Sequence, residues 1–97
     1  MQFHVYPVSG GRLVLDLQSN IPDLPTRVVA PLIPAETGPT PITILEPVFE
    51  IEGRLFALHT GELVAAPAHV LRSAPVADLT DRSYEIERAL DMLFSGF

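Results

Sequence analysis

The sequence predicts a mainly β fold: a small barrel or sandwich of short antiparallel strands, followed by a single C-terminal α-helix. Three observations carry this prediction. Short runs with apolar residues at alternate positions recur along the chain, bounded by proline and glycine. Two pairs of such runs are joined by glycine-containing turns, at Gly10-Gly11 and at Glu52-Gly53. Beyond residue 80 the apolar period changes from two to three-and-four, the spacing of an amphipathic helix.

The elements follow in order. Phe3, Val5 and Val8 open an extended stretch that Pro7 and the Gly10-Gly11 pair bring to an end. Leu13, Leu15 and Leu17 then share one face at period two, which makes the pair a β-hairpin. Residues 19–25 form a polar, proline-punctuated loop that still holds Ile21 and Leu24. Arg27 to Leu32 reads as a third strand, stopped by Pro31 and Pro34, and residues 34–41 read as an irregular surface loop. Val48–Ile51 and Arg54–Leu58 flank Glu52-Gly53 as a second hairpin. Residues 60–67 read as connections, and His69–Arg72 as a last strand.

In the final segment Ile86, Ala89, Leu90, Leu93, Phe94 and Phe97 recur on one helical face. Thr80 is placed to cap this helix, Leu79 to staple onto Tyr84, and Glu85 to face Arg88. The barrel then occupies about residues 1–78 and the helix about 81–95, in one domain of 97 residues.

Composition narrows the function. No apolar run reaches membrane length, and the first residues carry no basic-then-apolar signal, so a soluble, cytoplasmic protein is expected. The absence of cysteine removes disulfides and thiolate chemistry. Net charge is −6, with six arginines spread along the chain and no lysine. Binding to nucleic acid needs cations gathered on one face, so direct binding is not expected, and a partner with a basic surface is.

Candidates for chemistry are few. His4, His59 and His69 lack metal-ligand spacing and read as structural or surface histidines. Glu46, Glu50 and Glu52 share a strand face, most simply the solvent face, rather than forming a catalytic pair. There is no phosphate loop, nucleophile elbow or zinc pattern, and neither metal nor cofactor is expected. The chain reads as a binding protein rather than an enzyme. Its last residues, Met92 to Phe97, are apolar and lack a cation to offset Asp91 and the helix dipole. Either a partner covers Phe94 and Phe97, or both fold back onto the core.

Several blocks resemble the CcdB family. These are Met1-Gln2-Phe3-His4-Val5-Tyr6, Leu15 to Ile21, Thr26 to Leu32, Val76-Ala77-Asp78-Leu79, and the terminal helix with its penultimate Gly96. They follow one another in register over nearly the whole chain. The resemblance implies an SH3-like β-barrel with a C-terminal helix, working as a homodimer that binds the DNA gyrase A subunit and traps the cleaved-DNA complex. It also implies a cognate CcdA-like antitoxin that releases gyrase and, bound to the toxin, represses the operon.

Carried over by position, the gyrase-binding residues fall on Ile21, Pro22, Asp91, Phe94, Ser95, Gly96 and Phe97. Ile21 and Gly96 match the family pattern. Pro22 and Phe97 stand in place of isoleucines, and Asp91 in place of an asparagine. Ser95 occupies a position where the best-known members place a tryptophan, and a serine cannot stack on an arginine. An alternative implied by this departure is a relative that binds antitoxin without poisoning gyrase. Messenger-RNA endonuclease toxins of similar fold are a further alternative, disfavoured by the dispersed arginines and negative charge.

Overall fold

In a computed structural model, which describes residues 1–21 and 24–96, β1 (His4–Val8) and β2 (Arg12–Asp16) form the first hairpin around the two glycines. The long strand β3 (Thr26–Pro34) lies beside β2, and β4 (Val48–Ile51) pairs with β5 (Arg54–Leu58) across the Glu52-Gly53 turn. Both turn residues have positive φ, 52° and 79°, as a two-residue turn matched to strand twist requires. β6 (Val64–Pro67) and β7 (Ala77–Asp78) complete the sheet, whose order is β4-β5-β3-β2-β1-β7 with β6 against β3. The result is a nearly closed antiparallel barrel with one helix, α1 (Ser83–Ser95), at its C-terminal end.

Period-two alternation places the core. Val5, Leu15, Leu17, Ala30, Leu32, Phe49, Ile51 and Leu58 fill the barrel, and α1 adds Ile86 against them. Leu13, Phe56 and Leu90 pack at the margins of this cluster.

Several expectations are corrected. Pro31 does not end the third strand. Its carbonyl accepts the His59 amide at 2.9 Å, between the stretch of β3 that pairs with β6 (26–29) and the stretch that pairs with β5 (32–34). A strand residue's N–H and C=O point to the same side, so the donor that proline lacks would face the His59 carbonyl, which accepts the Glu62 amide at 3.1 Å instead. Residues 60–67 are more than connections, because Val64–Pro67 gains strand geometry from β3.

His69–Arg72 is not a strand. Ala68–Leu71 is a 3-10 turn, and the free edge of β1 goes to Ala77–Asp78 instead. Leu79 does not staple Tyr84, since Leu79 is buried in the core and Tyr84 is exposed. The Thr80 hydroxyl turns back to Asp78, and a 3-10 turn, Thr80–Arg82, leads into α1 without a side-chain cap.

The loop between β3 and β4 folds back tightly. A Cβ at Gly38 would lie 2.8 Å from Ile33 Cγ2 and 3.0 Å from the Pro34 carbonyl, with backbone on one side unable to give way. Gly38→Ala is therefore expected to cost about 1–3 kcal/mol, as overpacking does, read as a lower denaturation midpoint.

Candidate functional site

The surface that α1 offers is set by what the helix buries. Ile86 and Ala89 are buried, Leu90, Met92 and Leu93 are half-buried, and Phe94 is 72% exposed. Burial falls away toward the C-terminal end, so the reading in which Phe94 folds onto the core does not hold. The helix end is also closed rather than frayed. Gly96 takes the left-handed conformation (φ 80°, ψ 9°) and donates its N–H to the Met92 carbonyl at 3.0 Å. Glycine suits that position because a Cβ there costs about 1–2 kcal/mol.

The other end of α1 is anchored by Arg82. Its guanidinium lies 4.8 Å from the centre of the Phe49 ring and forms a bidentate pair with Glu85, at 2.5 and 2.6 Å. The partner of Glu85 is thus Arg82, not the expected Arg88. Hydrogen bonds from Arg82 hold the Glu85 carboxyl below its ordinary value of 4.5. A carboxyl lowered on folding stabilises the folded state above its unfolded value. That contribution is lost as pH falls from about 4.5 through the folded value. Arg82→Gln is expected to bring the Glu85 titration, followed by carboxyl NMR shifts, back toward 4.5 and to flatten the acid side of the stability curve.

Ile21 stands on a different element, the loop between β2 and β3, and is 55% exposed. Its neighbours are held from below. Asn20 Oδ1 accepts the Gln2 amide at 2.9 Å, and the Gln18 carbonyl accepts Arg27 Nη2 at 2.9 Å. Asp91, Phe94, Ser95 and Gly96 are gathered by the last turns of α1, and all four are exposed. Pro22 and Phe97 lie outside the described residues. Leu24, 47% exposed on the Ile21 loop, and Tyr84, 74% exposed on α1, were not singled out as contacts. The sequence pattern assigns Tyr84 to the staple, and Leu24 carries no signal that separates surface from core.

Other titratable groups take structural roles. His59 is buried, and its Nδ1 faces Glu62 Oε2 at 3.0 Å and Glu46 Oε2 at 3.4 Å. Glu46 is not on a strand face. It precedes β4, folds inward, and accepts the Ile42 amide at 2.9 Å. Both carboxylates address one ring nitrogen, and among the described residues no group of three such side chains is placed to hold a metal. Glu50 and Glu52 are exposed as expected.

Fold and surface together define a small barrel protein whose terminal helix ends in uncovered apolar and acidic residues. A family model described as CcdB protein matches residues 2–96, and the chain belongs to the CcdB family. This places it among the toxins of toxin–antitoxin modules, with an antitoxin as partner. No helix among the described residues is long and apolar enough to cross a membrane.

Proposed function

We propose that this toxin is a gyrase poison. As a homodimer it binds the DNA gyrase A subunit and traps the cleaved-DNA complex, until the cognate antitoxin removes it. The contact set is Ile21, Pro22, Asp91, Phe94, Ser95, Gly96 and Phe97. The observation that carries this reading is Phe94, 72% exposed in the last turn of a helix that Gly96 closes firmly. A large aromatic left in water beside Asp91 suits a partner that is both apolar and cationic. Two such ends, related by dimer symmetry, would engage two equivalent sites.

Ser95 supports a second reading, in which the chain binds antitoxin alone and regulates its operon. A serine there supplies no stacking surface, so the aromatic contact falls to Phe94 and Phe97. Deleting residues 96–97 tests the assignment when stability is followed alongside activity. Gyrase inhibition should disappear, while the denaturation midpoint falls by no more than the loss of the Gly96 cap accounts for. Retained inhibition would remove the helix tip from the contact set.

A further inference from the structure

The flank of α1 turned away from Phe94 borders a cleft. At about 100° per residue, Glu85 lies roughly 180° around the helix from Phe94, and Arg88 roughly 120°. These two side chains and the segment that leads into β4 enclose about 350 Å³. Pro41, Ile44, Pro47 and Val48 make the wall across from α1 apolar, and Thr43 adds an exposed hydroxyl. That wall is fixed before anything enters. Ile44 is held in the left-handed conformation (φ 73°), which a β-branched residue adopts only where its surroundings impose it. Here the Leu45 carbonyl accepts the buried Thr60 hydroxyl at 2.8 Å, and Glu46 Oε1 accepts the Ile42 amide at 2.9 Å.

The charges around the cleft differ in what they have left to offer. Glu85 is already engaged by Arg82 through two hydrogen bonds. Arg88 is exposed and in no ion pair among the described residues. It also lines a smaller depression with Tyr84, Glu87 and Asp91. Neither of those acids comes within ion-pair distance of it, so the guanidinium keeps its donors for an anion, and their negative charge keeps such binding weak. An apolar cleft with one free guanidinium and one hydroxyl suits an apolar body that carries a single carboxylate. Because the wall is already ordered, a small molecule can bind there without an ordering cost.

We propose that this cleft binds a small apolar monocarboxylate, with its ring or chain against Pro41, Ile44, Pro47 and Val48 and its carboxylate on Arg88 and the Thr43 hydroxyl. The site shares no residue with the gyrase contact set, and the inference does not rest on the gyrase reading.

The test is an amide-resolved NMR titration of the full chain with phenylpropanoate, with phenylpropanamide and phenylpropylamine as its neutral and cationic counterparts. Saturable shifts are expected at the amides of Thr43, Ile44, Val48 and Arg88, with a dissociation constant on the order of 1 mM. The neutral amide should bind at least about fivefold more weakly, and the amine should not bind. Arg88→Gln should cost the acid at least about fivefold and leave phenylpropanamide unchanged. Its melting curve should superimpose on that of the unmodified chain, since Arg88 is exposed. Added salt should weaken the acid more than the neutral amide. Shifts that fail to saturate by about 20 mM, or that fall outside these two elements, overturn the inference. So does an acid that binds within about twofold of phenylpropanamide, or that binds Arg88→Gln within about twofold of the unmodified chain.

Discussion

Arg27→Ala is expected to lower the unfolding free energy by about 3–5 kcal/mol, the cost of leaving a buried carboxylate without its partner. Asp16 is 0% exposed, and its Oδ2 lies 2.9 Å from Arg27 Nη2 and 3.1 Å from Arg27 Nε. The Met1 amino group, 3.1 Å away but at the surface, offsets only part of the buried charge. Burial, and after it the Asp16 carboxylate, push the neighbouring Tyr6 phenol above its ordinary value. Arg27 does more than neutralise Asp16. Its Nη2 also binds the Gln18 carbonyl, while Gln18 Oε1 accepts the Val28 amide at 3.0 Å. The same guanidinium therefore fixes the root of the loop that carries Ile21. Urea denaturation of Arg27→Ala should show the full loss, and for a domain of this size each kcal/mol lowers the melting temperature by about 4–8 °C. The double replacement Asp16→Leu with Arg27→Met should recover much of it, since an apolar pair of similar volume leaves no charge unpaired. A loss under about 1 kcal/mol for Arg27→Ala, the range of an exposed pair, would contradict the role given to Asp16.

Phe94→Ala should do the opposite, leaving the fold intact while removing function. The ring is 72% exposed, so truncation takes almost nothing from the core and stability should change by no more than about 0.5 kcal/mol. Interface aromatics that anchor a complex cost about 2 kcal/mol or more on truncation, which corresponds to roughly 30-fold in affinity. With Ser95 contributing no ring, Phe94 has one aromatic fewer to share the contact with. Supercoiling inhibition should weaken by at least that factor while the melting curve superimposes on that of the unmodified chain. A melting temperature that fell together with activity would return Phe94 to the core.

What the sequence revealed, and what it concealed, follows from the range of each interaction. The hairpin across Glu52-Gly53 was legible because turn chemistry and alternation lie within a few residues of one another. The leucines of β2 showed their buried face for the same reason. β6 was not legible, because Val64–Pro67 has no alternation of its own and becomes a strand only against Thr26–Val29. Pro31 pointed the wrong way, since whether a missing N–H matters depends on a change of partner that only the sheet reveals. The Asp16–Arg27 pair was hidden because its members are remote in sequence and each looks like an ordinary surface charge. At the site, Asp91, Phe94, Ser95 and Gly96 were named from resemblance. Their spacing alone put Phe94 on the core-facing stripe, and the decline of burial along α1 is a property of the packed helix, not of the pattern. Closure of the helix by Gly96 was likewise readable only from its backbone angles.

The most direct test of the gyrase assignment is a cleavage assay with purified gyrase, supercoiled DNA and ATP, stopped with detergent and protease. The unmodified chain should convert supercoiled DNA to linear product in a dose-dependent way, and the cognate antitoxin should suppress that product. If supercoiling runs at its full rate and no linear DNA accumulates with the toxin in molar excess, the chain is not a gyrase poison.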